Sequence, residues 1–398
     1  MTSDVPRPRS VDMIVAVHDT RRQVARAVGS ILANPDPSIQ ALVVAHNLPT
    51  SDVELALAGL MLEHPERIRI IECHDGIPSP SGPFNLGLSE SRANYVGIMG
   101  SDDELDLDAI ADWRRRLERT RADMVIAKVV RGPLRNLVRS PPKRVWRTGR
   151  LDFAKDRLSY RSAPLGLMRR EAVDRLGLRL LEGARNGGDL PFVTRLWLLG
   201  HVVPSRGQAS YVEHADAPVR VTHVAKPARE ELDPVRVMLA DPLIGTMSPA
   251  QLEALATKLV RRNLSDAVRK RDGGRALTKD DCAVITAIAH DLVALAPRTL
   301  RLVGRSQAEM FAEVARPQPD LARVAELDAE TIRFDSQRSV LPADLTLLLS
   351  RQGQLRYVAA SALIRVGASR WFDPIRILTP LLGAGALALV VAAIARAR

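Results

Sequence analysis

The stretch Ser81 to Trp113, SGPFNLGLSESRANYVGIMGSDDELDLDAIADW, restricts the fold more than any other part of the chain. Asn85 to Arg92 has the spacing of a short helix. Tyr95 to Met99 is an apolar run of strand length, and Ser101-Asp102-Asp103-Glu104 stands where that strand should end. Carboxylates at a strand's carboxyl end face the crevice in which open α/β sheets bind ligands. Two adjacent carboxylates there suit one hard divalent cation, whose remaining octahedral positions go to water and phosphate oxygens. The same residues also suit a plain helix start: Ser101 or Asp102 as cap, with Asp103, Glu104, Asp106 and Asp108 near the positive end. The motif alone leaves both readings open.

Its surroundings repeat the strand–helix alternation. Val11 to Val17 is a nearly continuous apolar run with His18-Asp19-Thr20 at its tip. Val24, Ala27, Val28, Ile31 and Leu32 then share one helical face. Asn34-Pro35-Asp36-Pro37 ends that helix, and Ile39 to Ala45 is a second buried strand. Leu55 to Glu63 reads as a helix, and Ile68 to Ile71 as a third strand leading to Glu72-Cys73-His74-Asp75-Gly76. Ile110 to Leu117 and Met124 to Val130 continue the pattern as helix and strand. Such alternation predicts an α/β fold with a mostly parallel, Rossmann-like sheet covered by helices. The loop Arg131 to Arg150 carries six basic residues from Arg135 onward and no acids. It reads either as a mobile contact for diphosphate, a phosphorylated acceptor or lipid headgroups, or as a solvated surface.

From about Pro227 the pattern changes to helices without strands. Ser248-Pro249 opens a helix through Arg269, and Thr278 with Asp281 resembles a capping box for a helix to Leu295. Further helices are expected at Thr299 to Ala315, Leu321 to Ile332 and Pro342 to Val366. The reading therefore divides the chain into a catalytic domain at 1–226, a helical accessory domain at 227–370 and a hydrophobic segment at 371–398. In the last, Ile377 to Ala395 has no charge and follows Trp371-Phe372, with Arg376, Arg396 and Arg398 as flanks. That is close to the ~20 apolar residues of a spanning helix. It reads as a C-terminal transmembrane helix that anchors the protein, or else as a buried helix or an oligomer contact.

Composition narrows the partners. A net charge of +11 favours phosphate-rich or anionic-lipid surfaces. Aromatic residues make up 4%, too few for the stacking platforms of a single-stranded nucleic-acid binder, so nucleic acid is not expected as a partner. The two cysteines, Cys73 and Cys282, lie far apart with no CxxC or Cys/His ligand spacing, which argues against zinc and disulfide frameworks. MTSDVPRPRS has no apolar signal core, so the catalytic half is expected in the cytoplasm.

The order of these pieces resembles the family 2 glycosyltransferases with a GT-A fold. The matching pieces are Val11 to Val17, Arg21 to Leu32, Ala41 to Ala45, Asn85-Leu86-Gly87 and the acidic turn Ser101-Asp102-Asp103. Ala163 to Leu167, Arg169-Arg170-Glu171 and Gly188-Asp189 before Leu190 to Leu199 continue the likeness. The resemblance implies a nucleotide-sugar donor held by Val17, His18, Asp19, His46, Asn85, Ser101 and Asp102. It implies Mg²⁺ or Mn²⁺ on Asp103 and Asp102, and Asp189 as the general base. The activity implied is inverting transfer of a sugar to a hydroxyl of a cell-envelope glycan or lipid-linked acceptor. Such an enzyme is expected at the cytoplasmic face of the plasma membrane or in the cytoplasm, in some cases as a homo-oligomer.

The chain also departs from the family pattern. Ala45-His46-Asn47 replaces the acidic pair that contacts the nucleoside, and Phe84 replaces an Arg. Gly100 and Gly188 replace acids at the metal turn and beside Asp189. These departures motivate two alternatives: a non-catalytic GT-A-like binding or scaffold protein, and a nucleotidyltransferase of related fold.

Overall fold

The computed structural model describes residues 10–214 and 226–367. Two compact units result. The first comprises 1–138, 147–152 and 161–224; the second comprises 139–146, 153–160 and 225–398. Two segments from the middle of the expected catalytic domain, Arg139–Trp146 and Phe153–Tyr160, thus belong to the helical unit.

The first unit begins with β1 (Val11–Val17), α1 (Val24–Leu32), β2 (Ile39–His46), α2 (Thr50–Glu63), β3 (Ile68–Cys73), α3 (Ser81–Glu90) and β4 (Tyr95–Gly100). Then follow β5 (Glu104–Leu105), α4 (Ala109–Thr120), β6 (Met124–Ile126), β7 (Val129–Arg131), β8 (Asn136–Leu137), β9 (Gly166–Arg169) and α5 (Arg170–Arg175). It closes with α6 (Asp189–Leu199), β10 (Val202–Pro204) and β11 (Tyr211–Glu213). The seven-stranded sheet has the order β10-β6-β9-β4-β1-β2-β3. Strands β4, β1, β2 and β3 run parallel, while β9 lies antiparallel between β4 and β6. The sheet is therefore mixed, the α/β arrangement of a GT-A-like fold. Because its central strands are covered on both faces, Met13, Ile14, Val15, Val17, Ala41, Val43 and Val44 are all fully buried.

Met124 to Val130 is not one strand. It breaks after Ile126, so that β6 stays in the large sheet while β7 enters a second, four-stranded sheet of order β5-β11-β7-β8. The basic loop beyond is also less free than its sequence suggests. Arg131 pairs with Glu213, and Arg135 pairs with Asp106 at 2.7 Å. In the helical unit, Arg144 pairs with the buried Asp156 at 2.7 Å.

Two features expected of the family turn out to fasten elements together. Gly87 lets α3 lie directly on β1, since a Cβ there would stand 2.4 Å from Ile14 Cγ2. Arg169 and Arg170 act as opposed clamps. Arg169 donates to the carbonyls of Ala122 and Leu117 at 2.8 Å each, and Arg170 donates to Ser91 O at 2.7 Å and to Leu88 O.

The second unit holds α7 (Ala228–Glu231), α8 (Asp233–Leu239), α9 (Pro249–Lys258), α10 (Ser265–Arg269) and α11 (Lys279–Leu295). It continues with α12 (Thr299–Leu302), α13 (Arg305–Val314), α14 (Leu321–Thr331), α15 (Gln337–Val340) and α16 (Gln354–Gly367). Helices α9 and α10 form one continuous rod through a π-helical segment, Leu259–Leu264. The predicted box at Thr278 and Asp281 forms, and at the predicted Ser248 helix start Gln251 accepts from the Ser248 N–H at 2.8 Å. The expected helix Thr299 to Ala315 is broken at Val303-Gly304. Gly304 approaches the Ser339 carbonyl so closely that a Cβ would lie 2.6 Å from it. Pro342 to Val366 is helical only from Gln354, because Asp344 caps a short 3₁₀ turn first. Among the described residues no helix is long and apolar enough to cross a membrane. The segment 377–395 and His223 lie outside the described residues.

Candidate active site

The parallel register of β1, β2, β3 and β4 brings their carboxyl ends to one edge of the sheet, carrying His18, His46, Cys73 and Ser101 with them. The acidic turn follows β4 at this edge. Pairing of β11 with β5 sets Tyr211 opposite Leu105 and Val212 opposite Glu104. This register carries Tyr211 and His214 to Asp103. The Tyr211 hydroxyl donates to Asp103 Oδ2 at 2.6 Å, and the His214 backbone N–H donates to Oδ1 at 3.1 Å. The Gly100 N–H in turn donates to the Tyr211 oxygen at 3.0 Å. His214 Nε2 lies 2.9 Å from Glu104 Oε2.

Burial pushes the Asp103 carboxyl up to about 6. The bond from Tyr211 opposes that rise, and the neighbouring Asp102 charge adds to it. Burial and the same carboxylate push the Tyr211 phenol well above its usual range. Among the described residues, the hydrogen bonds to the Asp103 carboxylate come from two neutral donors, the Tyr211 hydroxyl and the His214 backbone N–H. Asp102 is offset differently: the Arg22 guanidinium bonds its carboxylate, and Arg26 bonds its backbone carbonyl. Arg22 lies in the turn before α1 and Arg26 in the first turn of the helix.

A divalent cation fits this donor set through Asp103, whose pKa is raised by loss of water around it and by the charges of Asp102 and Glu213, a negative environment that a cation would offset. Asp102 could join only by sharing its carboxylate with Arg22. Gly100 leaves the room that Asp103 occupies, for a Cβ at that position would lie 2.6 Å from Asp103 Oδ2. Among the described residues, a group of three side chains with convergent metal-ligating atoms occurs elsewhere, at His46, Cys73 and Asp75, within 4.8 Å of one another.

The remaining sequence-selected residues are distributed as follows. Val17 is fully buried at the end of β1. His18 lies at the strand tip with its imidazole pKa lowered, first by loss of water around it and then by Arg22. Asp19 is gripped by Arg21 through bonds of 2.8–3.2 Å, the main cause of its fall to about 2. His46 Nε2 contacts Asp75 Oδ1 at 2.9 Å, and Asn47 joins them from a left-handed backbone position, φ 56°. Ser101 and Asp102 are buried in the turn.

Asn85 faces inward. Its amide donates to Leu180 O and to Glu182 Oε1 and accepts from Leu180 N–H, each at 2.9 Å. It holds the segment leading to Asp189 against α3. Ser79 assists by donating to Ala184 O at 2.6 Å. Gly188 packs so closely that a Cβ would stand 2.3 Å from Ser81 Oγ and 2.9 Å from Leu181 O. Asp189 is the first residue of α6, half-buried, with Gly188 as the cap.

Sequence reasoning passed over Arg22, Arg26 and Tyr211. The i,i+4 spacing of the two arginines beside the first strand tip was a usable signal. Tyr211 had none, because its role depends on a strand pairing more than one hundred residues distant, |i−j| 108 from Asp103.

Residues 12–177 match the model of glycosyl transferase family 2. That stretch is less than half of the chain. The fold is similar to that of S. aureus TarS 1-349, which aligns at TM-score 0.63 and 14% identity over 81% of this chain and 90% of that one. S. aureus TarS 1-349 in complex with UDP-GlcNAc aligns at TM-score 0.65 and 13% identity, covering 81% and 91%. Its complex with UDP aligns at 0.63 and 14%, covering 81% and 90%. A search of curated proteins finds no significant match.

Proposed function

We propose that this family 2 domain transfers a sugar from a nucleotide-sugar donor, with inversion, to a hydroxyl of a cell-envelope glycan or lipid-linked acceptor. The observation that carries this reading is the half-buried Asp103 carboxylate, fixed by Tyr211 and His214 at the carboxyl end of β4. Asp103, with Asp102 beside it, would hold Mg²⁺ or Mn²⁺, and that cation offsets charge on a leaving diphosphate when bound. Arg22 and Arg26 put positive charge at the same turn and favour an anionic leaving group. His18, His46, Asn47 and Asp75 offer polar contacts to a nucleoside at the tips of β1 to β3. The TarS complex with UDP-GlcNAc makes that donor the first to try.

Asp189 stands at the head of α6 and takes the acceptor hydroxyl's proton as the anomeric bond inverts. A general base contributes about 10²- to 10⁴-fold, so Asp189→Asn is expected to lower transfer by that order with donor affinity little changed. Donor binding by calorimetry and turnover by nucleoside diphosphate release together check this. Near-normal transfer by Asp189→Asn refutes the base assignment. Release of pyrophosphate points to the nucleotidyltransferase reading, and absence of nucleotide affinity to a scaffold.

A further inference from the structure

The helical unit contains a second cluster of charge that the transferase reading does not use. Arg261, on the π-helical segment between α9 and α10, is 6% exposed, yet its guanidinium meets only neutral partners. Nε donates to Gln354 Oε1 at 2.8 Å, Nη2 to Gln352 O at 3.0 Å and Leu302 O at 3.5 Å, and Nη1 to the Tyr160 hydroxyl. Its remaining face lies 4.5 Å over the Tyr357 ring. Arg157, 5% exposed, donates to Pro142 O at 3.2 Å and Arg351 O at 2.5 Å, and its Nε is buried without a partner. Burial lowers the Arg157 pKa to about 10, and repulsion from Arg261, Arg356 and Arg351 adds to the fall.

Buried guanidinium groups normally meet carboxylates, because an uncompensated charge away from water is costly. Here the charge faces a cleft in the same unit, lined by Arg261, Arg262, Arg269 and Tyr357 and by no carboxylate. Asp266 and Asp328 neutralise Arg269 from outside the lining, at 3.2 and 2.9 Å, and Asp266 also stands 3.7 Å from the exposed Arg262. Arg261 is left without such a partner. Ile332 and Phe334 border the cleft and are 56% and 55% exposed, an apolar edge beside a basic floor. A π-helical segment inside an α-helix often marks a functional position, and this one carries both Arg261 and Arg262.

We propose that this cleft binds an organic phosphate monoester, with the phosphoryl oxygens on the fork of Arg262 and on the one Nη1 hydrogen of Arg261 that the bonds above leave over, and the organic group against Ile332 and Phe334. Arginine suits a phosphoryl group because its planar fork donates two parallel charge-assisted bonds. The cleft belongs to the helical unit, and the proposal does not depend on the donor reading.

The test is isothermal titration of the full-length protein with phenyl phosphate and, separately, inorganic phosphate, each against chloride at equal ionic strength. Phenyl phosphate is expected to saturate one site and to bind more tightly than inorganic phosphate. Phe334→Ala should remove that difference. Arg262→Glu changes an exposed rim residue and keeps the fold, and it should weaken both ligands at least about tenfold, as loss of a charge-assisted bond does. Arg261→Lys retains charge but not the fork, and it should weaken both while the far-ultraviolet spectrum stays unchanged. Binding no stronger than chloride overturns the proposal. So does binding unaltered in both arginine variants, which places the anion elsewhere. Equal affinity for the two probes overturns the ester assignment.

Discussion

At the scale of single residues, Asp103 makes the chemistry depend on pH in a defined direction. Its folded-state pKa, about 6, lies above the ordinary 3.8, so the folded protein holds this proton more firmly than the unfolded chain. Without a cation, the stability it contributes is fully present below the ordinary value and is lost as pH rises through about 6. Asp103→Asn mimics the protonated group. In the absence of divalent ions it is expected to melt at or above wild type at pH 7.5 and level with it near pH 4, while losing transferase activity. Thermal unfolding at the two pH values checks this, and a large loss at pH 7.5 contradicts it. Tyr211→Phe removes the bond that opposes burial, so the Asp103 pKa should climb further. The acid limb of the activity profile should then shift to higher pH, with little change at the alkaline end.

At the scale of elements, legibility followed the range of the interactions. Val11–Val17 and Tyr95–Gly100 were readable as strands because a strand covered on both faces needs only an unbroken apolar run. The Ser248 and Thr278 caps were readable because each closes within three residues. Met124 to Val130 was misread as one strand, since its division between two sheets is decided by the distant partners β9 and β11. The same limit applies in the site. The acidic turn announces itself locally, whereas the inward-facing role of Asn85 depends on Leu180 and Glu182, |i−j| 95 and 97 away. Gly188, seen from sequence as a lost acid, is a point of close approach between the lead into α6 and the start of α3. Gly188→Ala should therefore cost about 1–3 kcal/mol, the usual penalty for overpacking, because the Leu181 carbonyl cannot step aside as a side chain would. Urea denaturation measures it, and a change below about 0.5 kcal/mol would show that the two segments give way freely.

At the scale of the whole molecule, the open question is what holds the protein near its acceptor, and two properties of the sequence compete for that role. The net charge of +11 would attract anionic headgroups through a field that salt screens within about 10 Å at 0.1 M. The uncharged run Ile377 to Ala395 would instead insert, its ~28 Å as a helix approaching the ~30 Å of a hydrocarbon core. The insertion reading is the one we propose, with the catalytic unit on the cytoplasmic side. Adsorption and insertion respond oppositely to washing. A charge-held protein leaves membranes in 1 M salt, where the screening length is about 3 Å, while an inserted helix stays until detergent is added. Full-length protein is therefore expected to sediment with membranes after a high-salt wash. A chain ending at Gly367 should stay in the supernatant and still turn over donor, because every residue proposed to hold donor, metal or acceptor proton precedes the run. Release of the full-length chain by salt alone would assign attachment to its arginines, and solubility without salt or detergent would turn the run into a packing or oligomer contact.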